Sequence, residues 1–408
     1  MEALNVNSFI LRIFAATVIA IALVSTPAAA QKKYDHGATD TEIKIGSITP
    51  YTGVFSEYGA VGRAEAAYFQ MINDRGGING RKINFVSVDD GSQVNKSVEL
   101  AHKLVEQDGV LLIFSSFGSE SNIAIRKYMN DKKVQLFIQT SSAAFDDPAH
   151  FPWTMGFFAT YRTEGLAYAN YILQNKPGAK IAVLYANSDA GKEYLAGVHD
   201  GLGRMASTMI VKEVSYDNTD ATLASQIVAL KSSGADVFIN LAWGKFATQA
   251  IRTTYDVGWH PLQFIPNASL SIAAFLDPAG LEKAAGIITN ARSKAWLHPQ
   301  ARSDPAVREF LDWMSKYNPQ ASLRDQLNVA GYERAQALVE VLKKCGDDLT
   351  RANVMKQAAS LNLEIGMLRP GIRITTSPTD YQPIKQLYLI KFNGKNWVPL
   401  GQVIGIQD

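Results

Sequence analysis

Residues 43–49, Ile-Lys-Ile-Gly-Ser-Ile-Thr, decide the fold, because they predict a β-strand that leads through a loop into a helix. Apolar and polar residues alternate along much of this stretch, which is typical of a strand. A glycine-containing loop follows at 50–59, and an amphipathic helix then runs through 64–72 until Gly76-Gly77 ends it. The first 80 residues or so therefore contain one β-loop-α unit.

The same order recurs further along the chain. A strand at 181–185 is followed by a loop at 187–191 and a helix at 193–202. The architecture repeats although the residues differ. Alternating strands and helices predict parallel sheets covered by helices on both faces. We therefore expect an α/β protein with two Rossmann-like lobes.

The ends of the predicted strands mark a ligand cleft. In open α/β sheets, ligands bind beyond the carboxyl ends of the strands, and such loops from two lobes can face each other only across a cleft. The loops concerned are 50–59, 115–119, 140–142, 187–191, 242–244 and 267–269. The segments after residue 286, including a hairpin around Asn393-Gly394, predict a multi-strand hinge that suits rigid-body closure.

The composition is that of a packed globular protein. The 408 residues are 47% hydrophobic and 19% charged, with a net charge of +2. This near-balance of charge argues against a nucleic-acid partner, which would need a strong basic excess on one face. Cys345 is the sole cysteine, so no intramolecular disulfide can form, and it is expected near the end of a helix that stops at Gly346.

The N-terminus predicts export. Arg12 precedes an apolar run from Ile13 to Val24, and Ala28-Ala29-Ala30 matches an A-x-A cleavage pattern. The run is too short to span a bilayer. We expect residues 1–30 to be a signal peptide cleaved after Ala30, which would place the mature protein in the periplasm; an uncleaved anchor is the alternative.

Several motifs resemble those of one family. Residues 42–59 contain Pro50-Tyr51-Thr52-Gly53, residues 72–81 read Ile-Asn-Asp-Arg-Gly-Gly-Ile-Asn-Gly-Arg, and Gly191-Lys192-Glu193-Tyr194 and residues 366–371 continue the match. With these motifs the chain resembles the type I periplasmic solute-binding proteins of ABC importers, specifically the Leu/Ile/Val-binding group. The resemblance covers residues 38–408.

The resemblance implies an organisation and a set of partners. Lobe 1 is expected at 38–157 plus 290–366, and lobe 2 at 158–289 plus 367–408. The implied role is to capture a small solute between the lobes, an amino acid or a small carboxylate or amide, and to deliver it to an inner-membrane ABC permease. A monomer suits such delivery.

Hydroxyl groups are the implied anchors of a ligand carboxylate. The family's serine in the third-strand loop corresponds to Ser119, and its hydroxyl pair to Ser141 and Ser142. Independently of the family, the start of the helix at 122–130 offers unpaired N–H groups and the positive end of a dipole. The alternative is that Ser119 is only a helix N-cap.

Aromatic side chains on these loops are expected to form the apolar walls of the site. One aromatic residue is as often core as wall, but five on strand-end loops favour a binding site. The complete predicted site consists of Tyr51, Phe55, Tyr58, Phe117, Gly118, Ser119, Ser141, Ser142, Asp189, Ala190, Trp243, Asn267 and Ala268.

Two positions depart from the amino-acid binders. Ala190 stands where that group has an aromatic residue closing on the ligand, and the loop at 267–270 lacks the acidic residue that pairs the ligand's ammonium. A buried ammonium without a partner is costly. These changes favour a bulkier or amino-free ligand, unless Asp189 or Glu120 replaces the missing acidic residue. Such a ligand would be an aromatic or aliphatic carboxylate or an amide.

We expect neither catalysis nor a cofactor. Residues 201–206 match G-x-G-x-x-A, but they follow a helix where the dinucleotide site requires a preceding strand. The six histidines are scattered without metal-ligand spacing. A sensor module that hands its ligand to a receptor would share this fold and is the remaining functional alternative.

Overall fold

The computed structural model describes residues 32–139 and 142–405. The predicted signal peptide and the predicted site residue Ser141 lie outside the described residues. None of the helices within the described ranges is both long enough and apolar enough to cross a bilayer.

The strands are short and follow one another in the predicted order. Their bounds are β1 (Lys33–Tyr34), β2 (Glu42–Thr49), β3 (Lys82–Asp89), β4 (Leu112–Ser116), β5 (Leu136–Ile138), β6 (Thr154–Met155), β7 (Ile181–Ala186), β8 (Ile210–Tyr216), β9 (Val237–Leu241), β10 (Leu262–Phe264), β11 (Ile288–Ala291), β12 (Asp348–Leu349), β13 (Asn362–Leu363), β14 (Ile374–Thr375), β15 (Gln386–Phe392) and β16 (Trp397–Gly405).

The α-helices alternate with these strands. They are α1 (Gly59–Asp74), α2 (Val94–His102), α3 (Ser119–Asp131), α4 (Tyr161–Asn175), α5 (Asp189–Leu202), α6 (Ala206–Met209), α7 (Ala224–Lys231), α8 (Lys245–Asp256), α9 (Asp277–Ala279), α10 (Pro305–Tyr317), α11 (Gln326–Cys345) and α12 (Arg351–Ala358). Helix α2 continues directly into a π-helical turn, Lys103–Gln107. As predicted, α11 ends at Cys345, with Gly346 as its C-cap at φ +58°.

Lobe 1 contains a sheet of five parallel strands in the order β3-β2-β4-β5-β6. Ile43, Ile45 and Ile48 of β2 are fully buried because helices cover both faces of the sheet. The loops that follow β2, β4 and β5 leave the same edge of this sheet, since their strands are parallel.

Lobe 2 contains a sheet of seven strands in the order β8-β7-β9-β10-β11-β15-β16. The strands from β8 to β11 are parallel, whereas β15 and β16 form the predicted hairpin and run antiparallel to their neighbours. The two sheets confirm the predicted α/β architecture. The expected lobe boundary between residues 289 and 290 falls inside β11, and the lobe boundaries stay a prediction.

The chain crosses between the two sheets three times, after β6, after β11 and before β15. After the second crossing, α10 and α11 return to lobe 1 and pack on α1. Tyr332 of α11 meets Tyr68 of α1 edge to face at 4.9 Å, and Trp313 of α10 lies 6.5 Å from the same ring. These crossings form the hinge.

One long helix is missing from the sequence prediction. Helix α4 begins at the N-cap Thr160, whose hydroxyl accepts a hydrogen bond from the N–H of Thr163. Its buried residues include Thr163, Glu164 and Gly165 as well as Tyr168 and Ile172, so polar and small residues interrupt the apolar stripe that predicts a helix. This helix carries a central residue of the site described below.

Candidate functional site

A cavity lies between the two lobes and extends into the hinge. It encloses about 1120 Å³ of space, part of it continuous with bulk solvent. Apolar side chains form most of its wall: Tyr58, Val61, Phe117, Phe158, Ala268, Leu270, Trp296, Leu297, Leu327, Val329, Ile390 and Trp397. The polar residues that line it include Gln139, Glu164, Asn267, Arg292 and Arg334.

Glu164 forms the negative side of the cavity. Its Oε2 accepts hydrogen bonds from the backbone N–H of Asn267 at 3.0 Å and from the side-chain amide of Asn290 at 2.7 Å. Burial raises the pKa of Glu164 above its ordinary value, and these hydrogen bonds oppose the rise because they stabilise the carboxylate. A carboxylate therefore stands directly beside the loop at 267–270, which has none of its own.

Arg292 forms the positive side. Its Nε donates to buried Glu333 at 3.0 Å and its Nη1 donates to Oδ1 of Asn267 at 3.3 Å. The guanidinium carbon lies 3.8 Å from the centre of the Phe158 ring. Asn267 thus contacts Glu164 through its backbone and Arg292 through its side chain, and the cavity contains charges of both signs.

A second arginine lies on the same aromatic ring. The guanidinium carbon of Arg334 is 4.8 Å from the centre of the Phe158 ring, and its Nε lies 3.4 Å from Oε1 of Glu65. Both partners are fully buried, so burial lowers the pKa of Arg334 to about 10 and raises the pKa of Glu65 to about 7. Nη2 of Arg334 and Oε2 of Glu65 make no hydrogen bond to any described residue.

Tyr58 connects the two lobes. Its ring stacks on Phe117 at 4.8 Å and contacts Phe275 of lobe 2 at 5.7 Å. Its hydroxyl accepts a hydrogen bond from the backbone N–H of Gly244 in lobe 2 at 3.2 Å. Burial raises the pKa of Tyr58, so the phenol stays neutral. Two of the predicted aromatic residues therefore form an inter-lobe wall of the cavity.

Gly244 leaves little room for a side chain at this contact. A Cβ built on it would lie 3.1 Å from Cδ1 of Phe55 and 3.3 Å from the carbonyl oxygen of Val54. Its backbone also has φ +58° and ψ −144°, a combination that only glycine adopts readily.

Ser119 does not cap its helix. The N-cap of α3 is Gly118 at φ +88°, and no side chain caps this helix. The hydroxyl of Ser119 instead lies 3.2 Å from the hydroxyl of Tyr161 at the start of α4. Tyr161 in turn stacks on Tyr194 at 4.8 Å, and its ring centre is 6.3 Å from that of Trp243. The N-cap alternative for Ser119 is thus wrong.

Ser142 makes another contact between the lobes. Its hydroxyl donates to Oε2 of Glu193 on α5 at 2.6 Å, and the neighbouring N–H of Ala143 donates to Oε1 of Glu193 at 2.9 Å. Burial raises the pKa of Glu193, and both hydrogen bonds oppose the rise. A protein carboxylate therefore occupies the Ser142 hydroxyl, which the resemblance assigns to a ligand carboxylate.

The remaining predicted residues lie outside the cavity lining. Tyr51 bonds through its hydroxyl to Ser87 at 2.7 Å, towards β3. Phe55 contacts Phe117 at 5.8 Å on the lobe 1 side. Ala190 is buried in lobe 2, whereas the two carboxylates considered as replacements, Asp189 and Glu120, are exposed and do not line the cavity.

Two lobes that meet across such a cavity invite comparison with known proteins. The family model described as periplasmic binding protein matches residues 42–396. The chain belongs to this family. The family consists of solute-binding proteins, and it accounts for the paired lobes and for the cavity between them.

Individual members of the family are distant from this chain in sequence. The Leu/Ile/Val-binding protein homolog 1 of Brucella abortus (strain 2308) is 24% identical over 348 residues, which cover 81% of this chain and 87% of that protein. Two solved structures share the fold.

One solved structure is a branched-chain amino acid ABC transporter protein from Thermus thermophilus with bound valine, which aligns with TM-score 0.80 and 16% identity over 90% of this chain and 98% of that one. The other is a fatty acid ABC transporter substrate-binding protein from Thermomonospora curvata, with TM-score 0.78 and 23% identity over 92% of this chain and 95% of that one. These likenesses support the two-lobe fold.

Sequence reasoning missed the charged residues of the site. Glu164 lies in the first turn of the unpredicted helix α4, and Arg292 follows β11 directly at the second crossing. The signal that could have pointed to Arg292 was its position among the segments after residue 286 that predict the hinge. Among the described residues, no group of three or more His, Cys, Asp or Glu side chains could hold a metal ion.

Proposed function

We propose that this protein is the substrate-binding component of an ABC importer of the branched-chain amino acid type. It captures a small solute between its lobes in the periplasm, after cleavage behind Ala30, and delivers it as a monomer to an inner-membrane permease. The observation that carries this proposal is the largely apolar cavity between two lobes, with opposite charges on either side of Asn267. No chemistry is performed on the solute.

The charges suit the two ends of an amino acid. An ammonium group beside Asn267 would meet the carboxylate of Glu164, and a carboxylate would meet the guanidinium of Arg292. Glu164 thereby supplies the negative charge that the loop at 267–270 lacks. An apolar side chain would contact Tyr58 and Phe117, which suits leucine, isoleucine, valine and larger apolar amino acids.

An amino-free carboxylate or amide is the second candidate. It is favoured by the hydrogen bonds from Asn267 and Asn290, which already satisfy Oε2 of Glu164 without a ligand ammonium. Ala268 in the cavity wall also leaves room for a larger body.

A ligand panel tests this proposal. The purified protein is unfolded and refolded to remove any bound solute, and its melting temperature is measured with leucine, isoleucine, valine, phenylalanine, 4-hydroxybenzoate, dicarboxylates and short amides. A ligand present at 100 times its Kd adds about 2.7 kcal/mol to the stability, which is a readily visible shift. A leucine, isoleucine or valine shift supports the first candidate, and a shift with amino-free acids alone supports the second. If neither a solute in the panel nor a longer carboxylic acid shifts the transition, the proposal is wrong.

A further inference from the structure

The cavity continues from the cleft into the hinge. Beyond Arg292 its wall is formed by residues that belong to the crossing segments and to the C-terminal hairpin rather than to the strand-end loops. We call this part the hinge arm and define it by Trp296, Leu297, Leu327, Ile390 and Trp397. Trp296, Ile390 and Trp397 are more than nine-tenths buried, so the arm is an interior feature of the fold.

The polar atoms of the hinge arm are already hydrogen-bonded within the protein. The indole N–H of Trp296 donates to the carbonyl of Leu323 at 3.0 Å, and that of Trp397 donates to the carbonyl of Leu270 at 2.9 Å. Both rings therefore present apolar faces to the cavity.

Two polar side chains next to the hinge arm also have partners within the protein. Oε1 of Gln326 accepts from the N–H of Ile272 at 2.7 Å, and Lys294 is paired with Asp304 at 2.7 Å. The two indole N–H groups, Oε1 of Gln326 and the ammonium group of Lys294 thus already have partners within the protein, so the arm is suited to a hydrocarbon.

Arg292 stands where the arm meets the cleft. Its Nε and Nη1 have partners, whereas no hydrogen bond from its Nη2 to a described residue is formed. Its side chain retains 9% of its exposure, so part of it is accessible to the cavity. A guanidinium binds a carboxylate with well-defined geometry, and a charge-assisted hydrogen bond in a low-dielectric site is strong.

We propose that the ligand is a carboxylic acid with an extended apolar chain, its carboxylate bound by Arg292 and its chain lying in the hinge arm. This inference rests on the proposed function and narrows the substrate to acids with chains longer than that of leucine. If the ligand carries an amino group next to its carboxylate, that group would lie on the side of Glu164. The chain would occupy the hinge arm whether or not the ligand has this amino group.

A chain-length series tests the inference. Dissociation constants of the purified, refolded protein are measured by calorimetry for butyrate, hexanoate, octanoate and decanoate, all below the concentrations at which they form micelles, with leucine and valine measured in parallel. Each methylene that becomes buried lowers the Kd about fourfold. From butyrate to decanoate, six methylenes, the Kd is therefore expected to fall roughly four-thousandfold.

Two variants distinguish binding in the hinge arm from nonspecific hydrophobic adsorption of the ligand. In Ala295→Phe a ring enters the cavity beside Trp296, and decanoate is expected to lose most of its advantage while butyrate keeps its affinity. The matched control is Ala196→Phe, at an exposed position on α5. In the double variant R292Q/E333Q, which removes the buried charge pair together, decanoate binding is expected to fall at least tenfold while that of decanamide is unchanged.

The outcomes distinguish a failure of the inference from a failure of the proposed function. If leucine or valine binds and affinity does not increase with chain length, the inference is overturned and the proposed function stands. If decanoate binds equally well to Ala295→Phe, its chain does not occupy the arm and the inference is wrong. If neither the acids nor the amino acids bind, both the inference and the proposed function fail.

Discussion

The hydroxyl of Ser142 in lobe 1 donates a 2.6 Å hydrogen bond to the carboxylate of Glu193 in lobe 2. The N–H of Ala143 donates to the other oxygen of the same carboxylate at 2.9 Å. Two donors of one lobe thus converge on one acceptor of the other, in a largely buried position. This contact holds the lobes together without a ligand.

Removing that carboxylate should favour the open form. In Glu193→Ala both inter-lobe hydrogen bonds are lost, and because hydrogen bonds to a charged group are worth about 1.5–3 kcal/mol, the opening equilibrium should shift at least tenfold. We expect a larger radius of gyration in small-angle X-ray scattering of the unliganded protein.

The control for this variant is Asp200→Ala, which removes an exposed ion pair with Arg162 within lobe 2. Its radius of gyration should match that of the unmodified protein. An unchanged radius for Glu193→Ala would show that the Ser142–Glu193 contact does not hold the lobes together.

Tyr58→Phe should destabilise the protein. The substitution keeps the stacking on Phe117 but leaves the buried N–H of Gly244 without an acceptor, which costs about 1–3 kcal/mol. Urea unfolding followed by circular dichroism measures the loss. Tyr255→Phe is the matched control, because Tyr255 is 41% exposed and its change should stay within about 0.5 kcal/mol. Equal midpoints for the two variants would contradict this prediction.

Glu164→Gln should discriminate between amine-bearing and amino-free ligands. It removes the negative charge beside Asn267, so an ammonium group loses its partner and leucine affinity should fall at least tenfold. An amino-free acid should bind as well as before, or better. Calorimetry with leucine and octanoate measures the difference, with Glu120→Gln as the control at an exposed carboxylate. A parallel loss for both ligands would mean that Glu164 acts on the fold rather than on the ammonium group.

The buried Glu65 should make stability pH-dependent. Burial raises its pKa from an ordinary value of 4.5 to about 7. Between pH 4.5 and about pH 7, the unfolded chain has released the proton whereas the folded protein retains it. The contribution of Glu65 to the free energy of unfolding therefore decreases as pH rises, by up to about 1.4 kcal/mol per pH unit. The contribution is complete below about pH 4.5 and is lost above about pH 7.

Urea unfolding of the unmodified protein and of Glu65→Gln between pH 4.5 and 8 checks this prediction. The variant is expected to be about as stable as the unmodified protein at low pH, where Glu65 is protonated and neutral like glutamine, and to lack this slope. Profiles that run parallel across the range would exclude Glu65 as the titrating group.

The fold could be predicted from sequence to a large extent. Alternation of strands such as β2 and β7 with helices is a local signal, because each strand buries apolar residues and each helix ends at a recognisable residue such as Gly346. Helix α4 escaped because Thr163, Glu164 and Gly165 lie on its buried side, and their burial depends on partners in distant segments.

The site could be predicted only in part. Tyr58, Phe117, Asn267 and Ala268 line the cavity, because loops at the ends of parallel strands must share one edge; their binding of a ligand stays a prediction. Arg292 and Trp296 lie in a crossing segment, where no periodic pattern indicates which lobe a side chain faces, and Trp397 lies at the start of β16 in the C-terminal hairpin. Tyr51 illustrates the opposite case, since it lies on the right loop but turns towards Ser87.

The inter-lobe contact at Gly244 makes the shape of the closed protein independent of the ligand that it binds. The lobes meet at this residue through its backbone N–H, which donates to the Tyr58 hydroxyl, with no side chain of its own between them. Exchanges among the cavity side chains can therefore change the cargo while the outer contour of the closed molecule remains the same. One transporter could then recognise the closed form whatever it contains, provided that residue 244 remains glycine.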